Sequence, residues 1–272
     1  VTDRRGKSAV HQPPTTGASP GPPVLPGTAT GWELHGRLPH TLPAEEIRAI
    51  NNPSRAIHEH RAYQWNGWDF DLPPGVFHPG ETSRLVHSRL LDGTLPVAGL
   101  RYAAIGAGLG VEAVVAGVRG ARVVYALDVH PESVRTTARH YERIVGNDGP
   151  RLVALVADVW EGFPDGEQVD VVTFNPPAIE LPLSDDPEIV RNLCLGRDIA
   201  ARFFDQVVAR DLLAAGGVVY MILSNTAPLR DIVAMALESG FGAEVLHVED
   251  WPGDNVQTYL FALRRESLVG ED

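Results

Sequence analysis

The feature that most constrains this chain is a change of period between residues 101 and 128. An apolar run from Tyr102 to Ile105 breaks into glycines at Gly106, Gly108 and Gly110, then resumes with helical spacing from Val111 to Val118. This reads as a strand, a tight turn and a helix. A second apolar run, Ala121 to Leu127, ends on Asp128, which the right-handed strand-helix-strand rule places beside the glycine turn. Glycines let a ligand approach the backbone, the helix start offers unpaired N–H groups, and a carboxylate takes two ribose hydroxyls. The arrangement suits an adenosine-containing ligand.

Two other readings fit the turn alone. A dinucleotide-binding fold wants its third glycine at the sixth motif position, where this chain has Val111 and the glycine is displaced to Gly110. A glycine turn can also do no more than reverse a buried strand. The turn has companions, however. Val153 to Ala157 ends on Asp158, and Val169 to Phe174 ends on Asn175-Pro176-Pro177-Ala178. Successive strands thus deliver polar residues at their C-terminal ends, the edge where open α/β sheets bind ligands.

With these residues the chain resembles the class I S-adenosylmethionine-dependent methyltransferases over roughly residues 75 to 265. Asn175-Pro176-Pro177 is similar to the branch that methylates amino nitrogens, which includes release-factor glutamine methyltransferases and several adenine and guanine N-methyltransferases. The resemblance implies an α/β fold: a Rossmann-like seven-stranded sheet with an antiparallel last strand, plus a small N-terminal helical and β lid. It implies S-adenosylmethionine as cofactor, held by Thr82, Ile105, Gly106, Ala107, Gly108, Gly110, Asp128, Val129, Asp158, Val159 and Asn175. Asp158 would meet the adenine amino group or serve merely as a helix cap. Thr82 follows from a loose match of Pro79-Gly80-Glu81-Thr82 to the entry of the first helix in glutamine methyltransferases. The catalytic pair would be Asn175 and Pro176, whose side-chain and backbone oxygens accept both N–H bonds of a planar amine and aim its lone pair at the methyl carbon.

Two departures qualify the resemblance. The acidic residue usual two places before the first glycine is Ala104, and the aromatic usual after Asn-Pro-Pro is Ala178. Loss of that ring leaves room for a bulkier acceptor. The expected acceptor is therefore a planar amino-bearing or heteroaromatic small molecule of bacterial secondary metabolism, such as an indole, methylated on nitrogen or carbon. Its pocket would be lined by Tyr63, Trp65, Trp68, Phe77, His78, Pro177, Ala178 and Glu180, with His78, Glu180 and Tyr63 as candidate proton acceptors that have ordinary structural readings too. The alternatives are a protein glutamine methyltransferase, a nucleic-acid base methyltransferase and a non-catalytic scaffold of the same fold.

Composition bears on partners. The 272 residues are 44% hydrophobic and 21% charged, enough for one α/β core with an N-terminal addition. A formal charge of −12 makes nucleic acid an unlikely partner on its face, because phosphate-binding surfaces are basic. Arginine dominates the basic residues, with Lys7 the sole lysine, as in GC-rich bacterial genomes. No run is long and apolar enough to span a bilayer and none follows Arg4, Arg5 and Lys7, so a cytoplasmic protein without membrane contact is expected. The single cysteine, Cys194, reads as packing. Asp185 with Asp186, and His58 with His60, lack a third ligand, and no metal is expected.

In order, residues 1–30 are Pro- and Gly-rich and read as a disordered tail. Residues 31–95 form a lid or substrate region, with a helix over 43–50, a second helix through Ile57 and Tyr63, and a hairpin at Asn66-Gly67. The methyltransferase domain spans 96–265 and a tail covers 266–272. Within the domain, helices are expected over 131–145, 188–215 and 228–239, with strands over 218–223, 243–248 and 256–263.

Overall fold

A computed structural model describes residues 26–27, 29–51 and 55–266. The expected tail thus lies outside the described residues except for its last few, as do Asn52-Pro53 and all but the first residue of 266–272.

Seven strands form one sheet: β3 (Arg101–Ile105), β4 (Val123–Asp128), β5 (Arg151–Val156), β6 (Val169–Phe174), β7 (Leu213–Ser224), β8 (Phe241–Asp250) and β9 (Gln257–Arg265). Their order is β5-β4-β3-β6-β7-β9-β8. Neighbours are parallel up to β7, and β9 runs antiparallel to both β7 and β8. This is the expected seven-stranded sheet, with its last strand, β9, as the one that runs against the rest. A separate hairpin, β1 (Arg61–Trp65) and β2 (Trp68–Leu72), turns at Asn66-Gly67, both at positive φ.

Near-continuous apolar strands are buried on both faces, and their period of two divides the core. Ala103, Ile105, Tyr125, Leu127, Val172, Val219 and Met221 point to one layer. There they meet α1 (Gly31–Arg37), α7 (Asp198–Ala209) and α8 (Leu229–Glu238) through Leu34, Phe203, Phe204 and Ile232. Tyr102, Ala104, Val124, Ala126, Val171, Tyr220 and Ile222 point to the other layer, formed by α3 (Glu81–Asp92), α4 (Val111–Val118), α5 (Pro131–Ile144) and the β1-β2 hairpin. The N-terminal region is therefore built into both layers. His140, 1% exposed, is one such tie: its Nδ1 lies 2.9 Å from the Leu109 carbonyl, and its Nε2 accepts the Asp71 backbone N–H at 3.0 Å. Burial pulls its pKa below the usual value, in keeping with a neutral ring that donates on one side and accepts on the other.

Two expected elements differ. The helix over 188–215 is broken into α6 (Pro187–Leu193) and α7, with Gly196 at φ +63° between them. β7 starts at Leu213, before Gly216-Gly217, because pairing with β6 slips between Val169 and Val171 and the glycines fall in the resulting bulge. Toward the N-terminus, the second helix is a single 3-10 turn, Arg55–His58, and the chain is extended from Arg61. α2 (Ala44–Ile50) matches the expected first helix.

Candidate active site

The parallel order brings four strand ends to one edge in the sequence β5, β4, β3, β6. Asp158 follows β5, Asp128 ends β4, the glycine turn follows β3 and Asn175 follows β6. Adjacent strands are about 4.8 Å apart, so these groups span about 14 Å in a row. A cavity of about 510 Å³ lies along this edge.

At its centre, the Gly106 and Ala107 N–H groups both donate to the Leu127 carbonyl, at 2.8 and 2.9 Å, which folds the turn over β4. Gly106 has φ +69°, and a Cβ there would meet no atom within 4 Å, so the backbone is bare toward the cavity. Gly110 serves differently. At φ +85° it caps α4, and a Cβ would lie 2.8 Å from the Thr137 Cα of α5. Asp128 accepts the Gly108 N–H on Oδ2 and the His130 N–H on Oδ1, each at 2.8 Å, which fixes its carboxylate beside the turn. Burial nevertheless pushes this carboxyl above the usual range, against those two N–H bonds.

At the β5 end, Asp158 faces Arg202 of α7, with Nη2 3.4 Å from Oδ1. Val159 follows at φ +58°, a conformation costly for a β-branched residue, and its side chain is buried. At the β6 end, the Asn175 amide nitrogen donates to the Ser83 hydroxyl at 3.4 Å, which leaves its Oδ1 for another donor. The Pro176 carbonyl accepts the Ala178 N–H at 2.8 Å, while the Pro177 carbonyl and the Ile179 N–H bond the Leu195 N–H and the Leu193 carbonyl at 2.7 and 3.0 Å. The loop is thus tied to the segment that splits the expected long helix. A carbonyl has two lone pairs, so Pro176 retains one acceptor position.

The structure gathers most of the expected residues on this cavity: Thr82, Phe77, Ile105 to Gly108, Asp128, Val129, Asp158, Val159 and Asn175 to Ala178. Six others lie elsewhere, Gly110 among them at the start of α4 against Thr137. Tyr63 is 2% exposed in the core, edge-on to His78. Trp65 packs on Trp68 and His87. Glu180 pairs with Arg197 at 2.6 Å. His78 has its pKa lowered, first by burial and then by Arg61. Ser83, His87, Glu112 and Arg202, none of them among the expected residues, also line the cavity. Ser83 adjoins Thr82 in a stretch already singled out, and Glu112 stands two places after the last glycine; His87 and Arg202 carry no local signal.

The bare turn, the fixed Asp128 and the left-handed Val159 suit an adenosine cofactor, with room beyond the turn for a chain leading to Asn175. No family model matches the chain. It is 26% identical over 186 residues to a Methanocaldococcus jannaschii protein provisionally named a protein N5-glutamine methyltransferase, covering 66% of this chain and 87% of that one. Among solved structures it is similar to RsmC, a 16S rRNA N2 methyltransferase from T. thermophilus in complex with AdoMet and guanosine. The TM-score is 0.54 at 20% identity, over 76% of this chain and only 50% of that one. It is also similar to the E. cuniculi Mtq2-Trm112 complex, responsible for methylating the eRF1 termination factor. There the TM-score is 0.51 at 23% identity, over 71% of this chain and 99% of that one. The fold is that of class I S-adenosylmethionine-dependent methyltransferases.

One expectation is corrected. An rRNA methyltransferase shares this fold, so a net charge of −12 is no ground for setting nucleic acid aside as a partner. Net charge describes the whole surface, whereas binding depends on the local field at the site. No helix among the described residues is long and apolar enough to cross a membrane.

Proposed function

We propose that the chain is an S-adenosylmethionine-dependent methyltransferase acting on a planar amide or amino nitrogen, with a protein glutamine side chain as the acceptor. The observation that carries this is the Asn175-Pro176-Pro177 loop at the end of β6, next to the glycine turn, with the Asn175 amide nitrogen already engaged by Ser83. The M. jannaschii relative supports glutamine over the small heteroaromatic acceptor suggested by Ala178.

When bound, the cofactor supplies a methyl group on a sulfonium, a good leaving group. The protein's task is to align, desolvate and orient. Gly106, Gly108 and Asp128 hold the ribose region, and Asp158 and Val159 the base. Asn175 Oδ1 and the free lone pair of the Pro176 carbonyl accept the two N–H bonds of the acceptor amide. That draws its nitrogen toward a pyramidal shape and frees the lone pair that amide resonance otherwise ties up; as the N–CH3 bond forms, the C–S bonding pair stays on sulfur as a thioether and one N–H proton leaves to water. The two prolines and the bonds to Leu193 and Leu195 hold both acceptors in place. Ala178 is 3% exposed and presents only a methyl group, so the acceptor is gripped by its N–H groups rather than by a stacked ring.

The same pair of acceptors fits an exocyclic amino group of a nucleobase, and the similarity to RsmC supports that second reading. Methyl-labelled S-adenosylmethionine incubated with purified enzyme and fractionated extract separates the two. Label in protein, released as N5-methylglutamine on digestion, is the expected result. Label confined to RNA makes the nucleobase reading the function, and label confined to small molecules overturns both.

A further inference from the structure

The three carboxylates that line the cavity among its described residues are Asp158, Asp128 and Glu112. The first two lie at the β5 and β4 ends and are engaged there, Asp158 by Arg202 and Asp128 by two backbone N–H groups. Glu112, in the first turn of α4, lies at the opposite end. Beside the main cavity is a recess of about 10 Å³ bounded by Glu112 together with Ala104, Gly106, Thr173 and Asn175. That is room for about one water. Ala104 presents only a methyl group there, so the helix supplies the recess with its negative charge.

The Glu112 side chain is 18% exposed, and its ion-pair partner is His87 Nε2 at 3.2 Å. His87 is itself 1% exposed, and its Nδ1 has no hydrogen-bond partner among the described residues. The neighbouring Tyr102 and Thr173 hydroxyls bond each other at 2.5 Å. Among the described residues His87 is the ion-pair partner of this carboxylate, and the carboxylate also borders the cavity, where a cation can join it. We propose that Glu112 receives the ammonium group at the amino-acid end of the cofactor, with His87 as the positioning residue that holds the carboxylate from behind. This assignment rests on the cofactor reading above. The row of strand ends fits it: base at β5, ribose at β4, and the amino-acid end where β3 meets β6.

Calorimetry with two probes tests it. S-adenosylhomocysteine carries the ammonium group, whereas 5′-methylthioadenosine has the same adenosine and a thioether but no amino-acid end. Glu112→Gln keeps the size and removes the charge. It is expected to weaken S-adenosylhomocysteine about tenfold or more, the worth of a charge-assisted hydrogen bond, and to leave 5′-methylthioadenosine within about twofold of wild type. The second probe also reports that the variant is folded. Equal affinity of variant and wild type for S-adenosylhomocysteine overturns the assignment, as does equal weakening of both probes. If the wild type binds neither, the cofactor reading itself falls and takes this assignment with it.

Discussion

The Ser83 hydroxyl lies 3.4 Å from the Asn175 amide nitrogen, and it comes from the first turn of a helix 92 residues away in sequence. A serine that is 4% exposed thus engages the Asn175 amide nitrogen and leaves Oδ1 for the acceptor. Ser83→Ala is expected to lower kcat about tenfold, one hydrogen bond's worth of orientation, with S-adenosylhomocysteine affinity unchanged. Asn175→Ala should lose turnover while still binding S-adenosylhomocysteine. Single-turnover kinetics alongside calorimetry checks both, and unaltered turnover in Asn175→Ala defeats the catalytic assignment.

The glycines at 106 and 110 predict opposite failures. Gly110→Ala forces a methyl group to 2.8 Å from the Thr137 backbone at φ +85°, and should cost about 2 kcal/mol or more, read as a lower Tm. Gly106→Ala meets no protein atom and should cost only the left-handed backbone, about 1 kcal/mol, yet its methyl group projects where the ligand approaches. Its expected signature is a near-normal Tm with lost cofactor binding.

Asp128 gives a pH dependence. Burial raises its pKa in the folded chain, so the stability it contributes is present in acid and lost as pH rises through that folded pKa. Cofactor binding runs the other way, because the ribose hydroxyls need the ionised carboxylate. S-adenosylhomocysteine affinity should fall on acidification at a pH above the usual carboxylate range, and Asp128→Asn should bind weakly with that step removed. Affinity measured across pH 4 to 8 settles the point; an unchanged profile in Asp128→Asn refutes it.

Arg101 and Asp170 hold β3 to β6 from the other end. Asp170 accepts the Arg101 Nη2 and Nε at 2.6 and 3.0 Å and the Arg101 backbone N–H at 2.7 Å, and its pKa is lowered chiefly by the guanidinium hydrogen bonds. The stability this provides is present above the unfolded pKa and fades as pH falls through the folded one. Asp170→Asn should cost about 1–2 kcal/mol at pH 7, less at pH 3, measured by urea unfolding at both.

The sheet and the edge along which the cavity lies were legible because strands buried on both faces leave long apolar runs, each closed by a polar residue. Asp128, Asp158 and Asn175 could be read from that position alone. The break at Gly196 was not legible, since Val190 to Val207 keeps helical spacing and nothing local shows that residues 193 to 195 must pair with the Asn-Pro-Pro loop. The aromatics misled for a related reason. Tyr63, Trp65 and Trp68 have the composition of a flat-walled pocket, but the hairpin docks through Phe70 on His140, which leaves Tyr63 against Phe70 and Trp65 between Trp68 and His87. Ser83 and Glu112 lie on helices whose relation to the edge is set by packing across the layer, so their role emerges only in three dimensions.

β5 is the outermost strand at its side of the sheet, and its residues are only partly covered. Such a strand is the first to fray. Asp158 hangs from its end, so in the proposed placement a cofactor reaching from Asp158 to the β3–β6 junction would tie that loose margin to the centre of the domain. Occupancy then acts as a clasp. Slowed amide exchange should spread outward along β5 as ligand is added, making the sheet margin a gauge of how much of the protein is loaded.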